Sequence, residues 1–103
     1  MAEEVFKSLD TAIKANQDKA KKINGVFQWN VDGKDYVIDL KQMNAGPGKA
    51  AKPDVTLTIS EKDFLDLMSG KGNGQQMFMS GKIKFKGNMG MVMKLGELQK
   101  MQG

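Results

Sequence analysis

The segment Asp63–Leu98, DFLDLMSGKGNGQQMFMSGKIKFKGNMGMVMKLGEL, gathers the apolar side chains of the second half of the chain between glycine-punctuated turns. Phe64, Leu67, Met68, Met77, Phe78, Met79, Met89, Met91, Met93, Leu95 and Leu98 all fall within it. Unbranched, polarizable methionine fills irregular apolar space and tolerates guests of varied shape. Such a segment builds either ordinary core or the wall of a cavity for a greasy ligand. Asn88 predicts the cap of a final helix over roughly residues 89–101. Met91, Leu95 and Leu98 form one stripe of that helix, and Met89, Val92 and Met93 form a second. A surface helix in a small domain needs one apolar stripe. Two imply core on one side and a ligand, partner or neighbouring helix on the other.

The flanking sequence supplies the frame. Ser60-x-x-Asp63 resembles a capping box opening a helix that buries Phe64, Leu67 and Met68, with Gly70 at C′. Gly72-Asn73-Gly74 predicts a turn, and Gln75–Ser80 a short helix bearing Met77 and Phe78. Gly81–Gly87 predicts a strand with Ile83 and Phe85 inward and Lys82, Lys84 and Lys86 outward. Upstream, Asp54–Ile59 alternates, with Val55, Leu57 and Ile59 facing in and Thr56 and Thr58 facing out. Asn44–Pro53 reads as a flexible loop. Residues 26–41 read as a hairpin: Phe27, Trp29 and Val31 share a face, Asp32-Gly33 gives a type I′ turn, and Tyr36, Ile38 and Leu40 return. Glu3 to about Asp18 reads as one amphipathic helix with Val5, Phe6, Leu9, Ala12, Ile13 and Asn16 on one side and acids in its first turn. This order predicts an α+β fold, a mostly antiparallel sheet with helices over one face and threonine and lysine on the other.

With 103 residues, 40% hydrophobic and 27% charged, the chain is expected to form a single domain, residues 1–103. No apolar run reaches the roughly 18 residues that span a bilayer. Met1-Ala2-Glu3-Glu4 does not read as a secretory signal. The sequence holds no cysteine and no histidine. Thiolate nucleophiles, histidine-metal sites and Ser-His-Asp chemistry are thereby excluded within it. A non-enzymatic protein without a cofactor or metal is expected. The spacings Met77-x-Met79, Met89-x-Met91 and Met91-x-Met93 suit copper(I), yet apolar neighbours argue against a metal site.

The net charge of +4 favours an anionic partner. Lys19, Lys21 and Lys22 form the densest cluster, and Lys82, Lys84 and Lys86 suit a solvated, edge-protecting strand face. No nucleic-acid motif is present and the aromatics alternate inward, so nucleic acid is not an expected partner. The first helix could rest on an acidic membrane through Lys7, Lys14 and Lys19, or simply cover the sheet.

Phe64-Leu65-x-Leu67-Met68-x-Gly70-Lys71, Phe78-x-x-Gly81-Lys82 and Gly87-Asn88-Met89-Gly90 followed by Met93-Lys94-Leu95 together resemble the sterol carrier protein-2 family. The upstream hairpin and Pro53-Asp54-Val55-Thr56-Leu57-Thr58 fit the same order, so the resemblance covers essentially the whole chain. It implies a five-stranded sheet with helices over one face, enclosing an apolar tunnel. It also implies binding and transfer of sterols, fatty acids, fatty acyl-CoAs or phospholipids with broad selectivity, and transient contact with anionic membranes. A monomer is expected, intracellular and peroxisomal by the family's habit. The terminal Met101-Gln102-Gly103 is not the family's Ser/Ala-Lys-Leu targeting tripeptide. The resemblance carries over Phe64, Leu67, Met68, Phe78, Ile83, Met89, Met93 and Leu95 as lining residues. Phe27, Trp29, Met77, Phe85, Met91, Val92 and Leu98 complete the expected lipid-binding set. Access is expected to need movement of the final helix or of residues 75–80. The alternatives are an interaction module docking a protein through its methionines, or an accessory domain presenting substrate to a peroxisomal β-oxidation enzyme.

Overall fold

The computed structural model describes residues 2–94 and residue 97. Helices α1 (Ala2–Ala15) and α2 (Gln17–Ile23) precede the hairpin of β1 (Val26–Val31) and β2 (Lys34–Asp39). Strands β3 (Asn44–Pro47) and β4 (Val55–Ile59) follow, then α3 (Glu61–Met68), α4 (Gly74–Met79), β5 (Ile83–Gly87) and α5 (Met89–Val92). The sheet runs β3-β2-β1-β4-β5. β4 lies parallel to β1, and the other pairings are antiparallel.

The hairpin forms as its alternation predicts. Asp32 and Gly33 take φ of 50° and 85°, the paired left-handed geometry of a type I′ turn. Asp32 Oδ2 then accepts from the Glu61 N–H at 2.9 Å, tying the turn to the start of α3. Ser60 caps that helix by accepting from the Asp63 N–H, and Gly70 follows it at φ 88°.

Two expectations give way. The single helix over Glu3–Asp18 breaks at Asn16, whose side-chain amide donates to the Ala12 carbonyl at 2.8 Å. A shorter helix, α2, then carries the lysine cluster. The Asn44–Pro53 loop is not wholly a loop, because residues 44–47 form the edge strand β3 in register with β2. That strand has no alternating pattern to betray it. The Ala45 N–H, pointing off the sheet edge, is satisfied by Asp10 Oδ1 on α1 at 2.9 Å.

Residues 48–52 then pass beneath the sheet. Gln28, buried on the face away from the helices, donates to the carbonyls of Tyr36 and Gly48 at 3.0 Å each. Its Oε1 accepts from the Ala50 N–H at 2.6 Å. One side-chain amide thus holds the crossover that delivers the chain to β4. Asp54 joins the far ends of three strands: its Oδ2 accepts from Val26 N–H at 2.8 Å and its carbonyl from Asn88 N–H at 2.9 Å.

The core lies between the sheet and the helices. Phe6 of α1 stacks on Tyr36 at 4.3 Å and on Phe64 of α3 at 4.9 Å. Phe64 meets the edge of Trp29 at 5.1 Å, completing a column from β2 across both helices to β1. Thr58, Lys84 and Lys86 are exposed on the opposite face.

Candidate functional site

The floor of the apolar interior is set by strand register. Phe27 pairs with Val55, Trp29 with Leu57, and Leu57 in turn with Phe85, so their side chains share the helical side of the sheet. α3 lowers Phe64, Leu67 and Met68 onto this floor. α4 is positioned by Asn73, whose Oδ1 accepts from the Gln75 and Gln76 N–H groups. That cap orients Met77 inward, its sulfur lying close over Gly72, and sets Phe78 against Phe85 at 4.7 Å.

The structure brings Phe27, Trp29, Phe64, Leu67, Met68, Met77, Ile83, Met91 and Val92 into one continuous buried cluster. Phe78 and Phe85 are half-buried against it. Met89 and Met93 stand outside, 56% and 62% exposed, with Met79 at 77%. Leu95 and Leu98 lie outside the described residues, as does the remainder of the expected 89–101 helix; α5 as described ends at Val92. The two expected stripes are therefore regrouped. Met91 and Val92, drawn from different stripes, both face the core, and Met89 and Met93 both face away.

α5 is anchored to the turn between α2 and β1. Gly25 lacks a side chain where the Met91 methyl sits, and a β-carbon there would collide with it. The Lys94 ammonium donates to the Ile23 carbonyl at 3.1 Å, a contact spanning 71 positions of sequence. Sequence reasoning missed both contacts, because a lone glycine and a lone lysine carry no pattern that names a distant partner.

The interior is chemically quiet. Among the described residues, Trp29 Nε1 is the one buried side-chain nitrogen or oxygen without a hydrogen-bond partner. No group of His, Cys, Asp or Glu side chains among them could hold a metal ion. The resolved titration shift is peripheral: the Lys14 ammonium, hydrogen-bonded at 2.8 Å, holds the Asp10 carboxyl below its ordinary value, helped by the Ala45 N–H. What this arrangement offers is an apolar interior with one unpaired N–H among the described residues. The apolar stripe of α1 is committed to the sheet, since Phe6, Leu9 and Ile13 are buried there.

Comparison with known proteins agrees with this geometry. Residues 6–100 match the SCP-2 sterol transfer family. The chain is 40% identical over 111 aligned residues to peroxisomal multifunctional enzyme A of Dictyostelium discoideum, covering 99% of this chain and 24% of that protein. The fold matches apo sterol carrier protein 2 of Yarrowia lipolytica with a TM-score of 0.82 and 29% identity, covering 95% of this chain and 88% of that one. It also matches palmitated SCP2L2 of Aedes aegypti with a TM-score of 0.64 and 27% identity, over 87% of this chain and 92% of that one. The chain spans between 20% and 24% of the length of the first curated relatives it matches. The helix-covered five-stranded sheet, its single apolar cluster and the match over residues 6–100 place this chain in the SCP-2 sterol transfer family.

Proposed function

We propose that this protein is a lipid carrier, holding the apolar part of one lipid between its sheet and its helices and releasing it at a membrane. The observation that carries the reading is convergence. Side chains spread from Phe27 to Val92 gather into one apolar cluster, in a chain whose family is named for sterol transfer. Burial of an acyl or steroid body contributes about 25 cal/mol per Å² of apolar surface removed from water. No catalytic group is needed for that, and the chain acts as a carrier rather than a catalyst. Ligands include fatty acids, the chemistry of the palmitate held by the Aedes aegypti relative, together with fatty acyl-CoAs, sterols and phospholipids.

The lining set is Phe27, Trp29, Phe64, Leu67, Met68, Met77, Ile83, Met91 and Val92, with Phe78 and Phe85 at the margin. Space for the ligand opens as a tunnel when α5 or α4 moves off the sheet. Residues 1–103 act as a single domain and a monomer, with no cofactor, metal or nucleic acid involved. The exposed Met79, Met89 and Met93 offer apolar side chains, and the net charge of +4 offers attraction, for brief contact with an anionic bilayer. The name of the Dictyostelium discoideum relative supports a peroxisomal setting. The same relative supports a second reading, in which such a domain presents substrate to an enzyme on a longer chain.

The test is mass spectrometry of lipids extracted from the purified protein, joined to displacement of a fluorescent fatty acid. Co-purifying lipid and saturable displacement are expected. A lipid-free protein that takes up no fluorescent fatty acid overturns the carrier reading.

A further inference from the structure

Trp29 stands on β1, the middle strand of the sheet, between Tyr36 of β2 and Leu57 of β4. Its side chain is fully buried, yet its Nε1–H has no hydrogen-bond partner. An indole nitrogen donates and does not accept, and a buried donor left unpaired lowers stability. Phenylalanine would supply an aromatic ring to the core without that cost. The surroundings offer the N–H no oxygen. β1 is flanked by strands on both sides, so its main-chain groups are engaged in their ladders. Gln28, its neighbour in the strand, lies on the opposite face, its amide engaged by Tyr36, Gly48 and Ala50. A buried water needs about two to four polar partners, and among the described residues this interior leaves one buried side-chain polar atom unpaired. The Phe64 ring stands 5.1 Å from the indole at 68°, but an aromatic ring is a weaker acceptor than an oxygen.

The remaining source of an acceptor is a ligand held in the same interior. We infer that Trp29 is a specificity-determining residue, donating its Nε1–H to an uncharged oxygen, a hydroxyl or carbonyl, set within the apolar body of the lipid. This rests on the carrier reading and deepens it by naming the lipid chemistry: a ring alcohol, or an acyl chain that carries a hydroxyl or oxo group. The acceptor is uncharged because the buried cluster that holds Trp29 contains no lysine or arginine among the described residues. An ionised carboxylate buried against a single neutral donor stays unfavourable. A plain hydrocarbon tail leaves the N–H as unpaired as it is in the lipid-free protein. An oxygen at that depth restores the missing hydrogen bond, so the selectivity resides in one atom of the ligand.

The test pairs lipids that differ by a single oxygen: cholesterol against its hydrocarbon cholestene, and stearate against hydroxystearates with the hydroxyl moved along the chain. Wild-type protein is expected to hold at least one oxygenated member about fivefold tighter than its partner. Whether that member is the sterol or an acyl chain tells which lipid supplies the oxygen. Trp29→Phe keeps an aromatic ring and removes the N–H, so it should erase that ratio whatever it does to the absolute affinities. No variant is needed for the second readout. The chain's single tryptophan gives one indole N–H resonance, expected to move farther downfield with the oxygenated member than with its partner. Equal affinity within every pair, a preference that survives Trp29→Phe, or an indole proton that responds alike to both members overturns the inference and leaves the carrier reading standing. Long-lived water beside the indole proton in lipid-free protein overturns it too, by supplying the missing partner. Wild-type protein that binds no member of either set overturns the carrier reading, and the inference with it.

Discussion

The methyl of Met91 occupies the space that a β-carbon on Gly25 would need, so α5 is seated in a notch made by an absent side chain. Gly25→Ala should therefore act on α5 rather than on its own turn. The obstruction is the flexible end of a methionine, so the cost should fall near the lower end of overpacking, about 1 kcal/mol. Met91→Ala alone should cost about 2 kcal/mol through the cavity it leaves. The Gly25→Ala/Met91→Ala double variant should be less destabilised than the sum, because the added methyl partly fills that cavity. Urea melts of the four proteins check this; strict additivity would mean that the two sites do not communicate. If α5 movement admits lipid, Gly25→Ala should also speed fatty-acid exchange in stopped-flow fluorescence.

Asp10 links α1 to the edge strand, with one carboxylate oxygen on Lys14 and the other on the Ala45 N–H. Its folded value lies below the ordinary 3.8, so the unfolded chain binds the proton more readily. The stability it contributes is thus complete above the unfolded value and fades as pH falls through the folded one. Acid titration followed by tryptophan fluorescence should show wild-type protein losing stability below about pH 4. Asp10→Asn should lower stability at neutral pH and flatten that acid limb. An unaltered limb would place the acid sensitivity elsewhere.

These two contacts show why the sequence was legible in places and silent in others. The hairpin was readable because Phe27, Trp29 and Val31 alternate and Asp32-Gly33 specifies the turn locally. α3 was readable because its cap, Ser60, lies three residues from the N–H it satisfies. β3 was not, since Asn44-Ala45-Gly46-Pro47 becomes a strand only through β2 and Asp10, neither of which is adjacent in sequence. The apolar inventory of the site was legible as a list. Its sorting into Met91 inside and Met89 and Met93 outside depended on Gly25, 66 positions from Met91 in the printed sequence.

Gln28 should prove the costliest polar substitution on the sheet's outer face. Its amide meets the Tyr36 and Gly48 carbonyls and the Ala50 N–H, and the residue is 7% exposed. Gln28→Ala leaves those groups without their partner, and a stranded buried polar group costs about 1–3 kcal/mol. The loss should appear as a lower melting temperature and as trypsin cleavage after Lys49. Gln28→Glu should be no rescue, because a carboxylate faces two carbonyls without a donor. Wild-type resistance in Gln28→Ala would mean that the crossover is held by other contacts.

Met89 and Met93 offer the sharpest separation between holding a lipid and delivering it. Both are exposed, so Met89→Gln and Met93→Gln should shift stability by no more than about 0.5 kcal/mol. If they serve the bilayer contact, the double variant should keep its equilibrium affinity for palmitate in solution. Its transfer rate to phosphatidylserine-containing vesicles should fall several-fold, as the apolar share of the contact is removed and the lysines alone remain. If they line the ligand directly, as the sequence suggests, affinity should fall together with rate. Equal affinity and equal rate would remove both side chains from carriage altogether, leaving Met91 and Val92 as the residues of α5 that matter to the lipid.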